Sequence, residues 1–370
     1  MDRRKFLTSA AASAITMPLV AATSGAAPTQ GSRPFLRGMN AAWLYGQYDH
    51  DFAENPAHPE WGVWFKLDKT RRLLDAAAEL QCEVLRTWIL EGCEGLSFDA
   101  DGYVKSLSST LIRNLETYFS ECEERGLWLY PCLTTYWPKQ WPSPVVNRRA
   151  REAYITNAVR PLAKLFRSRK NTLAIDIFNE IESEVVDKKK PASHRASIED
   201  ARSFLRENAQ AIHAAAPGLL VSAGSGWRGF DSIKEGLYNG LGLDFLDVHV
   251  YADKPSLPDA AQLTGGVPII IGEFGQSTQQ WDDGIQDGAL RGAYAEAVRK
   301  GYAGVFPWQM DFPGCTVWAT FFSKQGGFRP AALAAKGLNA SYSERFGGAA
   351  RFTAYVKTAS RNKRAPRRSR

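Results

Sequence analysis

Two stretches of the chain end on residues that could do chemistry. The run Leu173-Ala174-Ile175-Asp176-Ile177-Phe178 is apolar and β-branched in character, and it ends on Asn179 and Glu180. A second run, Val267-Pro268-Ile269-Ile270-Ile271, ends on Gly272-Glu273-Phe274-Gly275. Each reads as a buried strand that delivers a glutamate at its end. Two such carboxyl groups are the minimum equipment for acid–base cleavage of a glycosidic bond. One alone says little, because most strand-end carboxylates are solvated or cap a following helix. In a regular strand neighbouring side chains point to opposite faces, so Asn179 and Glu180 can serve one pocket only if the chain curls there.

The elements that must position these groups alternate along the chain. Strands are expected at 35–43, 83–89, 127–135, 173–180, 219–223, 244–251, 267–275 and 302–308. Helices are expected between them at 67–80, 110–125, 148–167, 198–215, 230–238 and 288–300, with a brief connector at 258–263 and a closing helix at 329–345. Residues 91–109 read as a Gly/Asp/Ser loop. Eight β–α units with no compositional break predict one domain, a (β/α)8 TIM barrel, over residues 28–350. A doubly wound sheet is the alternative fold, but no glycine-rich dinucleotide turn follows the first strand.

The expected C-terminal strand ends, placed side by side, give Asn40, Arg86, Tyr136, Asn179, Glu180, His249, Tyr251, Glu273 and Trp308. Arg86 lies inside Val84-Leu85-Arg86-Thr87-Trp88, where a buried charge is costly unless paired, so a carboxylate partner is expected at the barrel mouth. His249 and Tyr251, two apart, share one face of their strand. A lone His is more often structural than catalytic, but one aimed with a Tyr at two glutamates is not alone. Trp137 and Trp141 fall in a Pro-rich loop where a core role is awkward, so they are expected to line sugar subsites, with Trp43, Trp88 and Trp281 as weaker candidates.

This order of motifs, from Phe35 to about Arg345, resembles glycoside hydrolase clan A and is most similar to family 5, which holds cellulase- and mannanase-like enzymes. The resemblance implies a retaining hydrolase of β-linked glycans of the endo-β-glucanase, β-mannanase or xylanase type. It implies Glu180 as acid/base and Glu273 as nucleophile, flanked by Arg86 and Tyr251. Asn179 would hold the sugar 2-OH and Trp308 would floor the subsite. The chain departs from the family where Thr134-Thr135-Tyr136-Trp137 replaces a His after the third strand, and where Ile181 replaces a Pro after Asn-Glu. On chemical grounds Glu273 must ionise to attack, and Arg86 with the Tyr251 hydroxyl would favour that form. Glu180 must begin protonated, which partial burial beside another carboxylate promotes.

Composition excludes several other classes. The formal net charge of +7 sits at the termini: seven basic residues and no acidic one between Lys357 and Arg370, and Arg3-Arg4-Lys5 at the start. The body between is close to neutral, so no positive face for nucleic acid is expected. Residues 351–370 read as a basic disordered tail. Residues 1–27 resemble a twin-arginine export signal, with Phe6-Leu7 after the arginines and small residues at Ala22–Ala27, which places the mature protein in the periplasm or outside the cell. No membrane span is expected. Five His, with only His249 at a strand end, argue against a metal-dependent barrel, and no cofactor is expected. Among five Cys, at 82, 93, 122, 132 and 315, only a Cys93–Cys315 bridge is conceivable. A secreted barrel that binds glycans without cleaving them is the alternative function, though such a chain would normally lack one glutamate. The partner is therefore a poly- or oligosaccharide, taken by a monomer.

Overall fold

A computed structural model describes residues 33–44, 48–186, 191–226, 228–251, 256–275, 283–310, 321–323 and 326–364. The export segment, Trp281, Cys315 and the last six residues of the basic tail lie outside the described residues. Eight parallel strands form a ring: β1 Leu36–Asn40, β2 Val84–Trp88, β3 Trp128–Cys132, β4 Ala174–Asp176, β5 Leu220–Ser222, β6 Leu246–His249, β7 Ile269–Phe274 and β8 Gly304–Pro307. The chain continues from β5 past Ala223 into Gly224–Ser225. The first piece pairs with β4 and the second with β6, so the ring closes through this broken strand. On the far side β1 pairs with β8, Leu36 opposite Gly304. The fold is the expected (β/α)8 barrel.

Three of the helices around it carry side-chain start signals. Ser108 caps Ser109–Glu124 by accepting from Leu111 N, and Asn147 caps Arg148–Tyr154 by accepting from Ala150 N. Ser197 and Asp200 form a reciprocal capping box at the start of Ile198–Ala215. The helix Leu67–Glu79 buries its apolar stripe in the core through Leu73, Leu74 and Ala77. The stretch 91–109, read as a loop, holds an antiparallel hairpin, Leu96–Phe98 with Val104–Leu107. Among the described residues no helix is long and apolar enough to cross a membrane.

Strand alternation stacks the barrel interior in layers. Leu36, Val84, Ala174, Leu220, Phe245, Ile270 and Phe306 form an apolar bottom layer. Two residues further along their strands stand Arg86, Asp176 and Asp247, all fully buried, and beyond these Trp88 and His249. The bottom is closed by a helix, Ala349–Arg364, whose Phe352 and Val356 pack on Leu36, Val84 and Phe245. This corrects the expected disordered tail from residue 351. Net charge argued for solvation, yet Phe352 and Val356 are spaced four apart and present one apolar ridge to the barrel floor.

Candidate active site

Regular pairing in β4 stops at Asp176, and the chain then curls. Asp176 Oδ1 accepts from Phe178 N at 3.3 Å and Gly224 N at 3.1 Å, which pins the start of the curl. Asn179 N reaches Thr134 O at 2.8 Å and Glu180 N reaches Gly224 O at 3.1 Å. Glu180 completes the curl in the left-handed region, at φ 55°. A non-glycine residue there costs on the order of 1–3 kcal/mol, which the surrounding bonds offset. The expected condition for Asn179 and Glu180 to face one pocket is therefore met. Buried Glu182 holds the next turn, accepting from Ser225 Oγ at 2.6 Å and Gly226 N at 3.4 Å. Burial raises its carboxyl pKa, with the Ser225 bond opposing.

At the centre stands Arg86, every nitrogen engaged. Nη1 donates to Glu273 Oε1 at 2.7 Å and Asn40 Oδ1 at 3.0 Å. Nη2 donates to Asp176 Oδ2 at 2.7 Å and Asn179 Oδ1 at 2.8 Å, and Nε donates to Asp176 Oδ2 at 3.1 Å. Burial alone would lower its pKa, but Asp176, Glu273 and Asp247 together raise it well above its ordinary value. Arg86 is thus a permanent cation inside the barrel. Its bond to Asn179 fixes the amide orientation, leaving the buried Nδ2 of Asn179 as a donor with no hydrogen-bond partner among the described residues.

The nucleophile candidate is held on both oxygens. Glu273 Oε1 receives Arg86, and Oε2 receives the Tyr251 hydroxyl at 2.8 Å. Glu180 Oε1 lies 2.9 Å from His249 Nδ1, which is 3.5 Å from Glu273 Oε1. One oxygen from each glutamate and a ring nitrogen of His249 lie within 4.8 Å of one another. The Glu180 side chain is 12% exposed against 2% for Glu273. These three residues could in principle share a cation, but Arg86 already neutralises Glu273 at contact distance. The site is better built for a sugar ring between two carboxyls.

The remaining expected residues divide. Asn40 donates to Gly272 O at 2.8 Å and Phe306 O at 3.0 Å, tying β1 to β7 and β8. Trp308 meets Trp43 and Trp88 in an aromatic cluster with ring centroids 5.5 and 5.7 Å away. Trp43 and Trp88 thus sit at the barrel mouth beside Trp308, and Trp43 Nε1 donates to Glu91. Tyr136 is 37% exposed and donates its hydroxyl to Asp49, whose carboxyl burial pushes up while that bond opposes. Trp137 is a correction: it is only 5% exposed and packs edge-on against Tyr154 at 5.4 Å and Phe98 at 6.3 Å, inside the main core. The unexpected hairpin is the reason, since its Phe98 covers the indole that a bare loop would have left open. Trp141 is half-buried and stacks flat on the same Phe98 at 4.0 Å. Cys82, Cys93, Cys122 and Cys132 are buried thiols.

Sequence reasoning missed the carboxylates behind the site: Asp176, Asp247, Glu182 and Asp49. The signal that singled out Arg86, a charge inside an apolar run, applied equally to Asp176 in Ala174-Ile175-Asp176-Ile177 and to Asp247 in Leu246-Asp247-Val248.

The barrel and the paired glutamates at its mouth define an O-glycosyl hydrolase. No family model matches the chain. Its sequence relatives are mannan endo-1,4-β-mannosidases. The one from Mytilus edulis is 24% identical over 327 residues, covering 75% of this chain and 84% of the relative. That from Cryptopygus antarcticus is 24% identical over 345 residues, covering 77% and 82%. Solved structures agree on the fold. The Mytilus edulis β-mannanase superposes with a TM-score of 0.62 at 20% identity, covering 86% of this chain and 95% of that one. An exo-β-1,4-mannosidase from an Opitutaceae bacterium gives 0.64 at 16% identity, covering 89% and 63%.

Proposed function

We infer that the protein is a retaining endo-β-1,4-mannanase, exported by the twin-arginine route and active as a monomer outside the cytoplasm. The observation that carries the chemistry is the approach of Glu180, His249 and Glu273 within 4.8 Å, with Glu273 held by Arg86 and Tyr251. Inverting enzymes keep their carboxyls roughly 6.5–9.5 Å apart to admit a water, whereas a separation of about 5 Å suits direct attack by one of them. Arg86 and Tyr251 both donate to Glu273, which favours its anion and aligns it on the anomeric carbon. Glu180, more exposed and facing the imidazole, donates a proton to the leaving oxygen and then withdraws one from the water that hydrolyses the glycosyl-enzyme. The amide Nδ2 of Asn179 is placed to bond a sugar hydroxyl beside the reacting carbon. The sequence relatives' activity supports β-1,4-mannan as the polymer, and their endo action supports internal cleavage.

The test is a screen of the mature protein on galactomannan, cellulose, xylan and mixed-linkage β-glucan with product sizes recorded, alongside Glu273→Gln. Galactomannan should be cut to short oligosaccharides, and the variant should lose about a thousandfold or more in rate. A mannan-inert wild type, or a Glu273→Gln variant with normal rates, overturns the reading.

A further inference from the structure

Asp247 has no place in the chemistry so far, yet it lies directly behind it. It is fully buried in β6, two residues before His249, on the same strand face. Its Oδ2 accepts from the Tyr130 hydroxyl at 3.0 Å and lies 3.9 Å from Arg86 Nε. Its Oδ1 accepts no hydrogen bond among the described residues, and it faces His249 Nε2 at 3.7 Å. Space for this carboxyl is reserved in the neighbouring strand: a Cβ on Gly272 would fall 1.7 Å from Oδ1. The glycine that precedes the nucleophile is therefore needed by Asp247.

The proton count follows from the geometry. His249 Nδ1 faces an oxygen of Glu180 and one of Glu273; with Glu273 ionised and the acid proton of Glu180 on its other oxygen, toward the leaving group, both facing oxygens accept and Nδ1 carries a hydrogen. A neutral ring then presents a bare Nε2 to Asp247 Oδ1, and two bare acceptors repel. Arg86 is the single fixed cation here, and among the carboxylates it hydrogen-bonds Asp176 and Glu273, not Asp247. Tyr130 is neutral, because burial raises its pKa well above the ordinary value. One proton between Oδ1 and Nε2 removes the repulsion and avoids a third negative charge around the one cation in a dry interior.

We propose that Asp247 is a positioning residue that shares a proton with His249 and so locks the imidazole as an Nδ1–H donor toward the acid/base Glu180. The proposal rests on the reading of Glu180 as the acid. As Glu180 releases its proton to the leaving group, this donor stabilises the carboxylate that forms, so Asp247 serves only the step that needs acid catalysis.

The test compares Asp247→Ala and Asp247→Asn by kcat/KM on two substrates, galactomannan and 2,4-dinitrophenyl β-mannobioside, whose leaving group needs no proton. Asp247→Ala should lose roughly tenfold to a hundredfold on the polymer and under about threefold on the activated glycoside. Asp247→Asn, which can donate from its amide to Nε2 and accept from Tyr130, should stay within about threefold of wild type on both. Equal losses on both substrates, no loss on either, or an Asn variant as impaired as the Ala variant overturns the proposal. Glu180→Ala, measured alongside, separates the two levels. If it too loses both substrates equally, the acid assignment fails and takes the proposal with it. If it spares the activated glycoside while Asp247→Ala does not, the proposal alone falls.

Discussion

Gly226 is the residue whose replacement most directly tests the placement of Glu180. A Cβ built there would lie 2.2 Å from Glu180 Oε1, 2.3 Å from Cδ and 2.4 Å from Cγ. Ordinary contact begins near 3.4 Å, so in Gly226→Ala the carboxyl must retreat by about 1 Å. That retreat breaks the 2.9 Å contact with His249 Nδ1 and carries the acid off the glycosidic oxygen. A misplacement of about 1 Å at a reacting group costs on the order of a hundredfold, or about 2.7 kcal/mol of transition-state stabilisation. Stability should barely move. Gly226 has no left-handed φ, alanine restricts the unfolded chain, and the displaced group is a partly exposed side-chain end. We therefore expect kcat on galactomannan to fall about a hundredfold, with a melting temperature within a few degrees of wild type. A variant of normal activity and normal melting would show that Glu180 acts from some other position. A melting temperature lowered by ten degrees or more would show that the strand, not the carboxyl, gives way.

Three further outcomes follow from the packing and the buried charges. Trp137→Ala should cost about 3–5 kcal/mol of stability and leave polymer affinity per folded molecule unchanged, as read by thermal melting and binding isotherms; weakened affinity at normal stability would return Trp137 to the cleft. Ending the chain at Gly348 removes fully buried Phe352 and Val356 from the barrel floor and should cost about 3–6 kcal/mol and promote aggregation; unaltered melting would mean the helix is no more than a solvated extension. Burial pushes Asp247 up to about 8, so the folded protein keeps a proton there that the unfolded chain releases near pH 4, and wild type loses stability to that group as pH rises across this window. Relative to wild type, Asp247→Asn should then gain up to about 1.4 kcal/mol per pH unit between pH 4 and 8 in urea unfolding, and a flat difference would refute the shared proton.

The barrel was legible because its strands are short apolar runs separated by helical periodicity, and eight of them leave few ways to close a sheet. Glu180 and Glu273 were legible because each follows such a run directly. What stayed hidden depends on the direction of side chains, which composition does not carry. Trp137 and Trp141 occupy one Pro-rich loop, yet Phe98 buries the first and leaves the second half open. The Phe98 hairpin had a signal that went unused, Asp101-Gly102 between Leu96-Ser97-Phe98 and Val104, the usual dipeptide of a tight turn. In the C-terminal segment, seven basic residues drew attention from the Phe352 and Val356 ridge that decides its fate. Asp176 and Asp247 carry the same signal as Arg86, a charge inside an apolar run, and ring closure turns both inward.

Ring closure also explains why the site is centred on an arginine. The inward face of β2 carries Val84, Arg86 and Trp88 in turn, so position 86 falls midway between the apolar floor and the mouth. A side chain there reaches strands far apart in sequence. Arg86 uses its planar fork on Asn40 from β1, Asp176 from β4, Asn179 from the curl beyond it and Glu273 from β7. A lysine has three donors on one atom and could not span these four acceptors at once. Placing a guanidinium in a dry interior is costly, and the cost is met by two carboxylates at 2.7 Å. One of those is structural and fixes the curl that presents Glu180; the other is Glu273, the nucleophile in the proposed mechanism. The same cation therefore holds Glu180 and Glu273 in register, one through Asp176 and the backbone, the other by direct contact.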